Sequence, residues 1–247
     1  MSRANSATSG WAAGKVLRSE WRLFDYPGAT SIRNMTNLQD FIAEIRAAAW
    51  RTGGSRFNAA RRLQRRDKLG ALSIAAFSAI AIVITIVQKV YGITTGTPVD
   101  DYLTALSLCI GLFVIVISIA EWGMGGSVKA ESLHKSAMEL GAFQRKLAQV
   151  LAEVKDGRAL QSDEAKELRD EHERITERCP YNHEPLDHDL FLVQQRFSSE
   201  YEKLFKRAPP NFVRATWIRI LSVLGVIGYF GAFWLVIGIV MLMTPWG

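Results

Sequence analysis

The sequence predicts an all-α membrane protein: a transmembrane helical hairpin, a third C-terminal transmembrane helix, and long cytosolic helices packing as a bundle. Three observations carry this. Residues 69–87, 102–120 and 220–247 hold no charged side chain and run 19, 19 and 28 residues. At about 1.5 Å of rise per residue, the shorter two span roughly 28 Å, close to the ~30 Å hydrocarbon core of a bilayer. Elsewhere the chain is polar: 22% of its 247 residues are charged, so a mean hydropathy of +0.06 averages two populations. No segment shows the period-two alternation and turn spacing of a sheet. A soluble single-domain enzyme is excluded by this pattern.

Residues 1–35 are rich in Ser, Ala and Gly without a period and read as a poorly ordered N-terminal segment. Arg18, Glu20, Arg22 and Asp25 leave no apolar stretch for a cleavable signal, so the first span is expected to stay as an anchor. Residues 36–68 read as cytosolic amphipathic and basic helices. Thr36 and Gln39 have capping-box spacing, and Leu38, Phe41, Ile42, Ile45 and Ala49 recur at helical intervals. Gly53 and Gly54 are expected to break that helix, with Ser55 capping a second one that runs through Arg61, Arg62, Arg65, Arg66 and Lys68 into the first span. Residues 69–120 are then the hairpin, 121–210 a cytosolic helical region, and 211–247 the third span.

Within 121–210, Leu133, Ala137, Leu140, Gln144, Leu147, Leu151 and Val154 alternate in steps of four and three, a coiled-coil-like seam that ends near Gly157. Ser162, Asp163 and Glu164 open a charged helix. Asp187 or Asp189 is expected to cap another helix starting near Leu190, whose seam is Leu190, Val193 or Gln194, Phe197, Tyr201 and Leu204. Pro209 and Pro210 interrupt the chain before the last span. Narrow apolar seams on long helices predict association with other helices, here a homo-oligomer.

Charge gives the orientation. Residues 1–68 carry 13 Lys/Arg against 5 Asp/Glu, whereas the loop between the first two windows holds Lys89 against Asp100 and Asp101. Positive residues favour the cytoplasmic side, which predicts a cytoplasmic N-terminus, an exterior C-terminus and residence in a bacterial inner membrane. Lys203, Lys206, Arg207, Arg214 and Arg219 repeat the pattern before the third span, and Trp122, Trp217 and Trp246 fall at interfacial positions. The overall +6 resides at membrane entry points, so the expected partner of Arg61, Arg62, Arg65, Arg66 and Lys68 is the lipid bilayer and not nucleic acid. Cys109 lies in a span and Cys179 in the polar middle, which argues against a structural disulfide.

No charge-free window contains His, Asp, Glu, Lys or Arg, which weighs against an ion-coupled transporter. Small residues recur instead: Ala71, Ala75 and Ala79 on the first span, Thr104, Ser107, Gly111 and Ser118 on the second, Gly225, Gly228 and Ala232 on the third. The second stripe has two readings. Either it packs against a helix with its hydroxyls bonded to backbone carbonyls, or it lines the lumen of an oligomer. Cys179, His183 and His188 have ligand chemistry with His172, Asp187 and Asp189 nearby, but a C-x3-H-x4-H spacing matches no standard zinc motif. No metal and no cofactor are expected. Phosphate-loop, nucleophile-elbow and zincin motifs are all missing, so no enzyme is expected either.

The stretch Arg56-Phe57-Asn58-Ala59-Ala60-Arg61-Arg62-Leu63, the two closely spaced spans, Ala130-Glu131-Ser132-Leu133-His134 and Tyr181-Asn182-His183-Glu184-Pro185-Leu186-Asp187 resemble the SLATT family, the SMODS- and SLOG-associating two-transmembrane effector domains. The resemblance runs over about residues 36–205, which makes the third span an addition to the family pattern. It implies a membrane effector of prokaryotic anti-phage defence that oligomerises and permeabilises the inner membrane when a companion component signals infection, causing growth arrest or cell death. It further implies a companion such as a reverse transcriptase or a nucleotide second-messenger system, and structural or regulatory roles for Asn58, Arg62, Asn182, His183 and Asp187. The alternative is a non-conducting membrane scaffold that recruits or regulates a cytosolic defence enzyme.

Overall fold

The structure is a computed structural model and describes residues 37–91, 93, 95–204 and 211–242. The described residues form helices only: α1 (Leu38–Val90), α2 (Pro98–Met124), α3 (Gly126–Lys155), α4 (Ser162–Glu177), α5 (Pro185–Gln195), α6 (Ser199–Leu204) and α7 (Phe212–Leu242). The N-terminal segment, Thr36, Lys206, Arg207, Pro209, Pro210 and Trp246 lie outside the described residues.

The cap of α1 is Asn37, whose side chain accepts a hydrogen bond from the Gln39 amide. From there α1 runs 53 residues, about 80 Å, without interruption. The break expected at Gly53 and Gly54 is therefore absent, and Ser55 is a buried residue inside the helix. These glycines serve close approach instead. A Cβ at Gly53 would sit 3.3 Å from the Leu140 Cβ, and one at Gly54 would lie inside the Phe191 ring, 2.0 Å from Cε2. Losing a side chain at two adjacent positions of α1 lets α3 and α5 seat against its backbone, a gain in burial that outweighs the roughly 1 kcal/mol of helix propensity forgone at each glycine.

The amphipathic start of α1 forms as its spacing requires. Ile42, Ile45 and Ala49 are buried against Leu140, Phe143, Leu147, Val150 and Val154 of α3, and Ala165, Leu168 and Ile175 of α4 close the cluster. The α3 seam is thus consumed within the chain: Leu140 and Leu147 are both 0% exposed. Assembly of copies through this seam is ruled out by that burial, because the first half of α1 already fills it.

The next seam also differs from expectation. The helix begins at Pro185, not near Leu190, with Glu184 as N-cap and Asp187 at the third position completing a capping box. It ends at Gln195, a turn separates it from α6, and Phe197 points into solvent at 83% exposure. Leu190 and Val193 instead pack with Leu186 against Ala215 and Ile218 at the start of α7.

Beyond the module, α1 and α2 pair as a hairpin through Phe77, Ile84, Leu106 and Ile110. At the far end Gln88 donates to the Asp100 carboxylate and to the Thr104 hydroxyl. At the near end Arg66 pairs with Glu121 at 3.8 Å. Helix α7 lies along α1, where the Trp234 indole donates to Ser73 and its ring packs 4.5 Å from that of Phe77. Among the described residues two stretches, in Leu38–Val90 and in Pro98–Lys155, are long and apolar enough to cross a membrane. Only 22% and 11% of their most apolar windows are buried, far less than a soluble core helix requires. A single residue, Gly125 in the left-handed conformation (φ 57°), turns the chain from α2 into α3. There α3 abuts α1 so closely that a Cβ on Gly126 would lie 2.3 Å from the Asp67 Oδ1.

Candidate functional site

The residues Asn58, Arg62 and Asp187, far apart in sequence, meet where α5 crosses α1. Asp187 is 2% exposed, and its two carboxylate oxygens accept from Arg62 Nε and a terminal guanidinium nitrogen, both at 3.0 Å. The same carboxylate accepts from the Glu184 amide at 3.0 Å, so one side chain both caps α5 and binds α1. Arg62 reaches Glu184 as well, at 2.9 Å. Asn58 donates through Nδ2 to the Asp187 carbonyl and to the Gln194 side chain, both at 3.2 Å. Burial opposes the charge of Arg62, but the hydrogen bonds and negative charges of Asp187 and Glu184 outweigh it and raise its pKa. The result is a bidentate ionic latch whose carboxylate accepts three hydrogen bonds, the arrangement in which a buried pair is costly to break.

One turn earlier, the buried guanidinium of Arg56 donates to Ser136 of α3 and to the Thr176 carbonyl at the end of α4. Ser55 contacts His188 Nδ1 at 3.0 Å and donates to the Arg51 carbonyl. A single stretch of α1, residues 55–62, therefore holds α3, α4 and α5 by polar contacts. Asn182 is exposed and accepts from the His183 amide. Burial, helped by His188, pushes the His183 pKa down to about 4, and its Nδ1 is buried without a hydrogen-bond partner. Burial also lowers the pKa of His188 and of His172. Cys179 faces Ser132 and the Tyr181 carbonyl, whereas His172 lies beside Phe143. Among the described residues no cluster of His, Cys, Asp or Glu is placed to hold a metal ion.

Arg56, Ser136, Gln194 and the Ser55–His188 contact were not singled out by sequence reasoning. A signal for Arg56 exists: the stripe Ile42, Ile45, Ala49 continues at the same spacing through Gly53, Arg56 and Ala60, all buried.

The stripe on α2 is placed differently. Thr104 is engaged by Gln88, Ser107 donates to the Thr104 carbonyl, and Ser118 donates to the Val114 carbonyl. The contact face with α1 is the neighbouring one, Leu106, Ile110 and Ile117, and a Cβ on Gly111 would meet nothing within 4 Å. Ala71, Ala75 and Ala79 are likewise exposed, as are Gly225 and Gly228, whose added Cβ atoms would meet nothing. Of the basic cluster, Arg62 and Arg66 are paired with carboxylates, while Arg61, Arg65 and Lys68 are exposed.

This layout, a membrane-length hairpin fused to a helical module through one long helix, has a counterpart among known families. The family model described as SMODS and SLOG-associating 2TM effector domain family 5 matches residues 38–244. The chain belongs to that family. The match makes it a SLATT membrane effector domain, a non-catalytic module, and associates it with SMODS and SLOG components at the level of the family. It also corrects the reading of the C-terminal helix as an addition to the family pattern, because the SLATT match extends through α7. No curated protein and no solved structure matches the chain.

Proposed function

We propose that this protein is the membrane-permeabilising effector of a prokaryotic anti-phage defence system, triggered by a companion component that senses infection. In this reading residues 38–68 and 126–204 form a cytosolic receiver, α7 is a third span, the N-terminus is cytoplasmic and the C-terminus exterior. Copies assemble through the spans, since the α3 seam is occupied internally. The observation that carries the proposal is the uncovered second span. In its small-residue stripe Gly111 has nothing within 4 Å of an added Cβ, and Ser107 and Ser118, both half-buried, bond their hydroxyls to carbonyls of their own helix, so the stripe lies beside the α1 contact face and not within it. Such a surface suits either contact with another copy or the wall of a narrow, weakly selective path for ions. The helix α1, continuous from receiver to span, provides the mechanical connection between signal and membrane.

Ion leakage from proteoliposomes tests it. Wild-type protein, activated by its companion where required, is expected to dissipate an ion gradient. Ser107→Leu is expected to reduce the leak while leaving insertion and particle size unchanged, because an apolar side chain dewets the path. Companion-dependent killing with an intact membrane potential, and no leak in vitro, would reject permeabilisation in favour of a scaffold that recruits a cytosolic defence enzyme.

A further inference from the structure

The basic segment of α1 divides into two arginine pairs, each at the i, i+4 spacing that places both on one side of the helix. Arg62 and Arg66 are answered by carboxylates, Asp187 with Glu184 and Glu121 respectively. Arg61 and Arg65 have no carboxylate partner among the described residues. Arg61 lies over the Phe57 ring at 4.4 Å, which leaves its hydrogen-bonding edge uncommitted. Like charges at this spacing repel, so the pair is unfavourable unless an anion sits between its members.

Both arginines line a partly enclosed cavity of about 50 Å³ between α1, α5 and α7. Its other walls include Arg62, Asp187, Leu190 and Ser222. Three guanidinium groups face one carboxylate, and that carboxylate is already bound by Arg62 and the Glu184 amide. The lining therefore carries a surplus of positive charge, with Ser222 opposite, its hydroxyl donating to the Arg219 carbonyl. One water needs about 10–15 Å³ by this measure, so the cavity has room for a group the size of a few waters, such as a tetrahedral oxyanion. Its position matters too. Arg65 precedes the first charge-free residue of α1 by four positions, about 6 Å, and Ser222 follows the last charged residue of α7, Arg219, by three. Both distances lie in the headgroup layer of a bilayer, where basic pockets between helices hold lipid phosphates.

We propose that Arg61 and Arg65 form a binding site for a phosphate group, supplied by the headgroup of an anionic lipid, in the cleft between α1, α5 and α7. The proposal rests on the membrane placement of α1 and α7 given above but not on permeabilisation, because lipid retention is measured without any leak.

Full-length protein in phosphatidylcholine nanodiscs is melted with and without phosphatidylglycerol, and separately with inorganic phosphate; retained lipid is counted by native mass spectrometry. Phosphatidylglycerol is expected to raise the melting temperature. Arg61→Gln with Arg65→Gln should cut lipid retention by about thirtyfold, against no more than about fivefold for Lys68→Gln, a charge outside the cavity. In pure phosphatidylcholine the double variant should melt close to wild type, since the repulsion relieved offsets the lost contact of Arg61 with the Phe57 ring. Stabilisation by inorganic phosphate without phosphatidylglycerol would keep the site and reassign its ligand to a soluble phosphate. Equal losses in the double variant and Lys68→Gln, or no response to either anion, would overturn the proposal.

Discussion

Replacing Gly54 with alanine sets two effects of opposite sign against each other. On an open helix face the change is stabilising, by roughly 1 kcal/mol of helix propensity. At Gly54 the new Cβ would lie 2.0, 2.3 and 2.4 Å from three atoms of the Phe191 ring, where carbon atoms at contact rest near 3.5–4.0 Å. Phe191 must retreat by more than an ångström, yet it is 6% exposed and its ring packs edge-on against Trp50 at 4.6 Å. Such overpacking costs about 1–3 kcal/mol and losing the ring from its seat about 3–5, so after the roughly 1 kcal/mol gained the net loss is about 0–2 kcal/mol with the ring kept and about 2–4 with it expelled. Gly141 is the control, because its added Cβ meets only the end of Arg145 at 3.9 Å; Gly141→Ala should stabilise by about 0.5–1 kcal/mol. Melting of the full-length protein in mild detergent should rank Gly54→Ala below wild type and Gly141→Ala above it, with hydrogen exchange rising across residues 185–195 in the former alone. A Gly54→Ala protein that melts higher than wild type would show that α5 does not sit on α1 there, and the account of the unbroken helix would fall.

Arg62→Met should destabilise the receiver by about 3–5 kcal/mol, read in the same melts, because it strips both guanidinium hydrogen bonds from the buried Asp187 carboxylate. Asp187→Asn, which keeps the shape and one acceptor, should cost less. For pH, His183 is held neutral in the fold by a pKa near 4, beside His188, Asp187 and Arg56, whereas an unfolded histidine protonates near 6.5. The unfolded chain thus takes up the extra proton between these values, so stability should fall as pH drops from about 6.5 towards 4, by up to about 1.4 kcal/mol per unit from this residue. His183→Asn should flatten that slope, and His188 and His172, also lowered, should supply what remains.

The sequence was most readable where one kind of periodicity held without competition. The first two charge-free windows, the stripe Ile42, Ile45 and Ala49, and the helix opening at Ser162 all form as their spacing requires. Misreadings arose where a residue's local preference and its tertiary use diverge. A Gly-Gly pair is a helix breaker in isolation, but against Leu140 and Phe191 it is the cheapest way to bring three backbones together. The α3 seam suggested a partner helix, and that partner proved to be an earlier part of the same chain, a pairing that spacing alone does not specify. Asp187 was expected to cap a helix near Leu190 and instead sits at the third position of one that begins at Pro185, and its bidentate bond to Arg62 spans 125 positions and has no local signature. Arg56 was the least legible of all, since a charged residue on a buried stripe reads as an interruption until Ser136 and Thr176 are seen around it.

The one-residue turn at Gly125 has a consequence for how the molecule can deform. Torsions inside a helix are fixed by its hydrogen bonds, so freedom to re-aim an element resides in the few residues outside them. Helix α1 enters the hairpin with no such residue, and α3 is pinned to α1 along its length. Helix α2, in contrast, is attached by the loop after Val90 at one end and by Gly125 alone at the other, where the lack of a Cβ keeps a wide range of φ and ψ open. Rotation about two bonds of this glycine re-aims α2 once its packing on Phe77 and Ile84 and the Arg66–Glu121 contact are released. The span that carries Ser107 is the member of this framework with a swivel at its base.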